Sequence, residues 1–252
     1  MSLNDKRIVV TRALSQATEL ANAITAKGGI VCLFPCIAFI PNPDTAYIQQ
    51  TVSRIEQEAF DWILFTSENA IRQLHIVLQH YSQPFQFPID TRIGVISTRS
   101  ATLFRTLFQR AVDCIAPIAT ADSLQVAVHT SPDQTYCWFT SQIAPARFTE
   151  LGKTLTRVDL YDTVIPADTI PVHQLLDNCD LVTVTSPSCV DNFAIRVQAQ
   201  PTLRALPMAC MGNSTSIAAI KHGFTTPITT NHHDIALFVH QIADYFAEEL
   251  YR

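Results

Sequence analysis

Two stretches of this chain share one plan, and any fold must accommodate both. Residues 61–74 read DWILFTSENAIRQL and residues 180–193 read DLVTVTSPSCVDNF. Each has an Asp, a short apolar run, then Thr-Ser, then branched or aromatic side chains at matching offsets, 119 residues apart. A second matching element follows each: RIGVISTRSATLF from Arg92 and MACMGNSTSIAAIKHGF from Met208. Ser67 precedes Gly94 by 27 residues and Ser186 precedes Gly212 by 26. A weaker third pair is RIVVTRA at 7–13 and YCWFTSQ at 136–142, with glycines (Gly28-Gly29, Gly152) near the end of the helix that follows. Three matches in order mark two related halves.

Each unit reads as strand, polar turn, helix. RIVV, WILF, RIGVI, YCWF, LVTV and MACM are short apolar runs, as expected of strands buried on both faces of a parallel sheet. Ala17, Leu20, Ala21 and Ile24 fall on one helical stripe, as do Ile71, Leu74 and Leu78. Gly223 stands where a helix C-cap would be. Asp234 can cap a last helix whose buried face is Ile235, Phe238, Val239, Ile242 and Phe246. The expected fold is α/β: two doubly wound parallel-sheet domains from an internal duplication. Two proline-punctuated segments, FPCIAFIPNPD and LYDTVIPADTIP, break the rhythm at equivalent points and read as linkers. They give a discontinuous first domain of residues 1–36 plus 167–252, a second domain of 41–161, and linkers at 35–43 and 161–170. Pro43 and Pro171 belong to these segments.

Of the 252 residues, 48% are hydrophobic and 15% charged, which suits a packed globular chain. A net charge of −5 sets up no basic field, so neither nucleic acid nor an anionic membrane is an expected partner. There is no apolar run of 18 residues and no signal-peptide h-region near the N-terminus, so a cytoplasmic protein is expected. Seven cysteines without a C-x-x-C argue against a disulfide framework or structural zinc. Cys32 and Cys36 read as buried, reduced thiols. His232-His233 is the one histidine cluster and reads as a solvated loop, so no metal is expected.

In an open parallel sheet ligands bind beyond the carboxyl ends of the strands. Those ends carry Thr11-Arg12, Thr66-Ser67, Ser97-Thr98, Thr140-Ser141, Thr185-Ser186 and Ser214-Thr215. Capping of helix N-termini explains any one of these pairs. Together they also describe neutral sockets for an extended, multiply negative ligand. Dinucleotide, P-loop, nucleophile-elbow and Cys-His signatures are missing. A cofactor-free reaction governed by binding and geometry fits best.

The series VTRALSQATELANAITAKGGIVCLFPCIAF, WILFTSENAI, IGVIST, LYDTVIP, VTVTSPSCV and MGNSTSIAAIKHGF resembles the uroporphyrinogen-III synthase family, from about Arg7 to Phe246. The resemblance implies two α/β domains joined by a two-stranded linker. It also implies closure of hydroxymethylbilane, a linear tetrapyrrole, to uroporphyrinogen III, with ring D inverted, water lost and no cofactor. Tyr161 matches the family's linker tyrosine, which is proposed to help the ring A hydroxyl leave. Ser67, Asn69, Ser186, Ser188 and Thr215 match positions lining the cleft, and Arg12 the arginine after the first strand. The family's Gly-x-x-Thr motif here reads Gly94-Val95-Ile96-Ser97-Thr98, so Ser97 and Thr98 are both candidates. Ser141-Gln142 stands where many relatives have Arg-Gly, and Arg147 matches a later basic position, so little positive charge is expected at the site. The resemblance further implies a monomer that takes its substrate from hydroxymethylbilane synthase. A non-catalytic tetrapyrrole- or anion-binding sensor on the same fold is the alternative. A periplasmic-type solute receptor is disfavoured by the missing signal peptide.

Overall fold

The structure is a computed structural model that describes residues 2–42, 44–57, 59–79, 85–129, 133–148, 151, 154–167, 172, 177–231 and 234–249. Pro43, Gly152, Pro171, His232-His233 and residues 168–170 of the expected second linker lie outside the described residues. The chain divides into two compact units, residues 1–38 with 164–252 and residues 39–163.

The first unit holds a five-stranded sheet. Its strands are β1 (Arg7–Val10), β2 (Ile30–Leu33), β9 (Leu181–Val184), β10 (Met208–Met211) and β11 (Ile228–Thr230). They lie in the order β11-β10-β9-β1-β2, and each neighbouring pair is parallel. The second unit holds β3 (Ala38–Pro41), β4 (Trp62–Phe65), β5 (Arg92–Val95), β6 (Cys114–Ile115), β7 (Tyr136–Ser141) and β8 (Leu155–Val164). Their order is β3-β8-β7-β4-β5-β6, with the pairs from β8 to β6 parallel. When the repeated stretches are matched, β4 with β9, β5 with β10 and β7 with β1, the orders β6-β5-β4-β7-β8 and β11-β10-β9-β1-β2 coincide. The order reverses between β4 and β7 in one sheet and between β9 and β1 in the other. Such reversals open crevices at the carboxyl edge.

The aspartate that opens each repeated stretch has a job at this reversal. Asp61, just before β4, accepts the Thr135 N–H at 2.8 Å and the Thr135 hydroxyl at 2.9 Å, at the start of neighbouring β7. Asp180, just before β9, accepts the Arg7 N–H at 2.7 Å at the start of neighbouring β1, and pairs with Lys6 at 3.0 Å. Both carboxylates hold in register the two strands that flank the reversal.

Strands read as apolar runs are buried on both faces. In the second unit Ile63, Phe65, Cys137 and Phe139 join one core cluster, and the alternate Trp62, Leu64, Tyr136 and Trp138 join another. In the first unit Ile8, Val10, Leu20, Ile24, Phe238 and Ile242 share a core. Cys32 and Cys36 are buried and take part in no disulfide.

The helices are α1 (Leu14–Ala26), α2 (Thr45–Glu56), α3 (Glu68–Gln79), α4 (Thr98–Phe108), α5 (Ala121–Val128), α6 (Pro187–Arg196), α7 (Pro201–Arg204), α8 (Asn213–Lys221) and α9 (Ile235–Glu249). Gly223, at φ +82°, ends α8 as expected: its N–H reaches Ile220 O at 2.9 Å and the Phe224 N–H reaches Ala219 O at 3.0 Å. That double bond pattern satisfies the last carbonyls and needs a left-handed residue. Asp234 caps α9 through the Leu237 N–H at 2.9 Å. The stretch at 160–171, read from sequence as an extended linker, opens as the last turnless part of β8, which runs to Val164.

Bonds from the Thr135 backbone and hydroxyl hold the Asp61 carboxyl below its ordinary range. A depressed acid contributes stability above its unfolded pKa of about 3.9 and loses it as pH falls through the folded value. Asp61→Asn is therefore expected to cost about 1–2 kcal/mol at neutral pH. In urea melts the gap from the parent protein should narrow as pH falls below about 3.9, and a gap independent of pH would contradict the assignment.

Candidate active site

The carboxyl ends of β4, β7 and β8 bring the best-furnished site together. Thr66-Ser67 follows β4 into α3, and the Ser67 hydroxyl caps that helix by accepting the Ala70 N–H at 3.1 Å. The same hydroxyl lies 3.3 Å from the Tyr161 phenol oxygen. Asn69, one residue into α3, and Ser141, at the end of β7, also hydrogen-bond the phenol. Two capping-type residues and one strand residue thus converge on one tyrosine.

Tyr161 is aimed by an irregularity in β8. Asp159 pairs with Thr140, but Ser141 pairs with Tyr161, leaving Leu160 as an extra residue. Such a bulge bends the strand and re-aims the side chain that follows. Its backbone is not left unsatisfied: Asn42 donates its backbone N–H to Leu160 O at 3.0 Å and its side-chain amide to Asp159 O at 2.6 Å. The ring of Tyr161 packs edge-on against Phe39, with centroids 5.5 Å apart. Burial, the largest influence, raises the phenol above its ordinary value of about 10, and the hydrogen bonds from Ser67, Ser141 and Asn69 act against it. The group is therefore a neutral donor at physiological pH.

A cleft of about 440 Å³ opens beside this tyrosine, with Ser67, Trp138, Ser141 and Arg147 among its walls. Trp138 is 1% exposed and donates its indole N–H to the Thr66 hydroxyl at 3.1 Å, tying the ends of β4 and β7 together. Arg157 lies over the Trp138 ring at 5.2 Å and donates to Ser141 O at 3.1 Å. The remaining walls are mixed: Ile96, Ala119, Ala121, Ala144 and Pro145 are apolar, and Thr66, Thr120, Thr140 and Asp122 are polar.

The other sequence candidates sort by what their hydroxyls already do. Ser97 caps α4, accepting the Ser100 N–H at 3.1 Å, while Thr98 is exposed in its first turn. Ser186 caps α6 through the Cys189 N–H at 3.3 Å and lies 3.0 Å from the exposed Ser188 hydroxyl. Thr215 is not a cap. It is 1% exposed and its hydroxyl turns back onto Met211 O at 2.9 Å, while Gly212 occupies the N-cap position at φ +95°. Thr11, counted among the rim hydroxyls, is also turned inward. It donates to Thr183 O at 2.7 Å while Thr183 donates to Val9 O at 2.7 Å, a reciprocal tie between β1 and β9. Arg12 is half-buried after β1. Arg12, Ser186, Ser188 and Thr215 belong to the first unit, and Tyr161, Ser67, Asn69, Ser97 and Thr98 to the second. Trp138 was not singled out in the sequence, although a tryptophan in a strand before a Thr-Ser pair was the available signal. Among the described residues, no three His, Cys, Asp or Glu side chains are gathered as a metal site requires, and no helix is long and apolar enough to cross a membrane.

Several known proteins are similar to this chain. A porphyrin biosynthesis protein HemD from Ruminiclostridium josui is 24% identical over 225 residues, which are 86% of this chain and 44% of that protein. A uroporphyrinogen-III synthase from Chlorobaculum parvum is 24% identical over 252 residues, covering 95% of this chain and 98% of the relative. The crystal structure of a variant uroporphyrinogen III synthase from Thermus thermophilus superposes with a TM-score of 0.67 at 13% identity, over 96% of this chain and 99% of that one, and shares the fold. The family model described as uroporphyrinogen-III synthase HemD matches residues 18–239. With most of its length inside that model, the chain belongs to the uroporphyrinogen-III synthase family.

Proposed function

We propose that this chain closes hydroxymethylbilane to uroporphyrinogen III, inverting ring D and releasing water, with Tyr161 as proton donor to the departing ring A hydroxyl. Membership of a family of porphyrin-biosynthesis enzymes is the observation that carries the reading. The Tyr161 cluster gives it a chemical form. Hydroxide is a poor leaving group, and a donor placed at its oxygen contributes on the order of 10²–10⁴-fold. A phenol kept neutral by burial brings no negative charge to a polycarboxylate before the step, and the phenolate left by proton transfer is balanced by the cation that forms on ring A as water departs. Ser67, Asn69 and Ser141 limit its rotation, so little ordering remains to be done when substrate arrives. The apolar wall residues Ile96, Ala119, Ala121, Ala144 and Pro145 suit the pyrrole rings.

Ser97, Thr98, Arg12, Ser186, Ser188 and Thr215 are assigned to substrate binding at the rims of the two units. With the Ser97, Ser186 and Thr215 hydroxyls spent on the backbone, first-turn N–H groups would carry more of that binding than side chains. We place the reaction in the cytoplasm, in a monomer that receives hydroxymethylbilane from its synthase and needs no cofactor. The matching strand orders support a duplicated origin for the units, with residues 35–43 and 161–170 as the linkers. A sensor without turnover is not favoured, because such a module has no use for a buried, hydrogen-bonded proton donor.

Purified protein added to freshly generated hydroxymethylbilane should give the type III isomer, separable from type I by chromatography. Type I alone would overturn the reading. Tyr161→Phe keeps the ring and removes the donor, so kcat should fall on the order of 10²-fold with KM little changed. Unchanged kcat would reduce Tyr161 to packing against Phe39.

The raised phenol also sets a pH expectation. Activity that depends on the protonated form should show no alkaline limb from this group below pH ~10. An absorbance titration at ~295 nm, parent minus Tyr161→Phe, should place its ionisation above that of an ordinary tyrosine.

A further inference from the structure

Among the described residues lining the second unit's cleft, Arg147 is the one cation and Asp122 the one anion, and they face each other. Arg147 Nη1 lies 3.8 Å from Asp122 Oδ1, with the two side chains 47% and 79% exposed. Neither is placed by chance. Phe148, next to Arg147, adopts φ 59°, is 2% exposed and packs edge-on against Trp138 at 5.1 Å. That anchor carries Arg147 to the wall of the cleft. Asp122 sits in the first turn of α5, which Thr120 caps through the Ser123 N–H at 3.2 Å.

An ion pair this long and this exposed does little for stability. The fold has no need of it. A carboxylate facing a cleft for a polycarboxylate also repels the ligand it is meant to admit. The two observations resolve if the pair is made to be exchanged. We infer that Asp122 is a placeholder on Arg147, which holds the guanidinium at the cleft wall and yields it to a carboxylate of the tetrapyrrole. The inference rests on the proposed tetrapyrrole reading. A planar guanidinium suits a carboxylate through two parallel N–H donors, which Asp122 at 3.8 Å through one nitrogen does not engage. On exchange Asp122 turns into solvent, to which it is already largely open, so its departure leaves no buried charge. Arg147 then fixes one ring's carboxylate on the same wall system as Tyr161, a specificity role for a side chain that touches no reacting atom.

The test uses Asp122→Asn, Arg147→Gln and the double variant, each checked for an unchanged thermal melt. The probe is uroporphyrin III, a closed, unreactive macrocycle with eight carboxylates, bound in a fluorescence titration; KM and kcat with hydroxymethylbilane are measured alongside. Arg147→Gln should weaken uroporphyrin binding and raise KM by about 10-fold with kcat near the parent value. Asp122→Asn should tighten binding and lower KM by about two- to five-fold at low salt. In the Arg147→Gln background Asp122→Asn should change nothing, since the aspartate acts only through the arginine.

An equal gain from Asp122→Asn with and without Arg147 would overturn the inference and reduce Asp122 to a contributor to the general field. Binding unchanged or weakened by Asp122→Asn would overturn it as well. If the parent protein gives no type III product, the enzymatic reading falls. The uroporphyrin titrations then still decide the placeholder role.

Discussion

Each sheet depends on a register fixed at the place where its strand order reverses. Parallel strands buried on both faces carry apolar side chains at every position, so the alternation that sets register in a half-exposed strand is missing. Asp61 and Asp180 supply what the pattern lacks. Each reaches from the start of one flanking strand to a backbone N–H at the start of the other, at 2.8 Å for Thr135 and 2.7 Å for Arg7. Once the starts are aligned, four-residue strands such as β4 and β9 end at defined places, and the Thr-Ser pairs that follow them arrive together at the carboxyl edge.

That edge has two demands on the same hydroxyls. Every helix that begins there leaves backbone N–H groups unpaired, and a capping side chain is worth about 1 kcal/mol. A ligand site needs donors and acceptors that remain available. Ser97 and Ser186 accept N–H groups of α4 and α6. Ser67 accepts one from α3 and still lies within reach of Tyr161. The difference comes from β8, where the extra residue Leu160 puts Tyr161 opposite Ser141 and brings the phenol to the start of α3.

The fold was legible because the signals were local and repeated. Four-residue apolar runs, helical stripes such as Ile71, Leu74 and Leu78, and glycine at the end of α8 each have one physical reading, and the structure agrees with all of them. The Asp of each repeated stretch was visible too, but its role was not, because its partner N–H lies 74 residues away in one unit and 173 in the other. The site was legible only through resemblance. Nothing in the string TS distinguishes a hydroxyl that caps from one that turns inward, and Thr11 and Thr215 prove to be of the second kind. A β-bulge at Leu160 leaves no mark in the stretch VDLYDTV. The pairing of Trp138 with Thr66 comes from neighbouring strand ends that meet only after the register is set, and that of Asp122 with Arg147 joins the first turn of α5 to the segment after β7.

The central claim is that the Ser67 hydroxyl supports the Tyr161 phenol as a proton donor, over and above capping α3. A double-mutant cycle on kcat with Ser67→Ala, Tyr161→Phe and the pair tests it directly, because turnover reads the donor while thermal melts read the cap. The account predicts that Ser67→Ala lowers kcat in the parent protein and adds no further loss once the phenol is gone, while a stability cost of about 1 kcal/mol from the lost cap persists in the Tyr161→Phe background. Losses in kcat that multiply independently would contradict it and return Ser67 to capping alone.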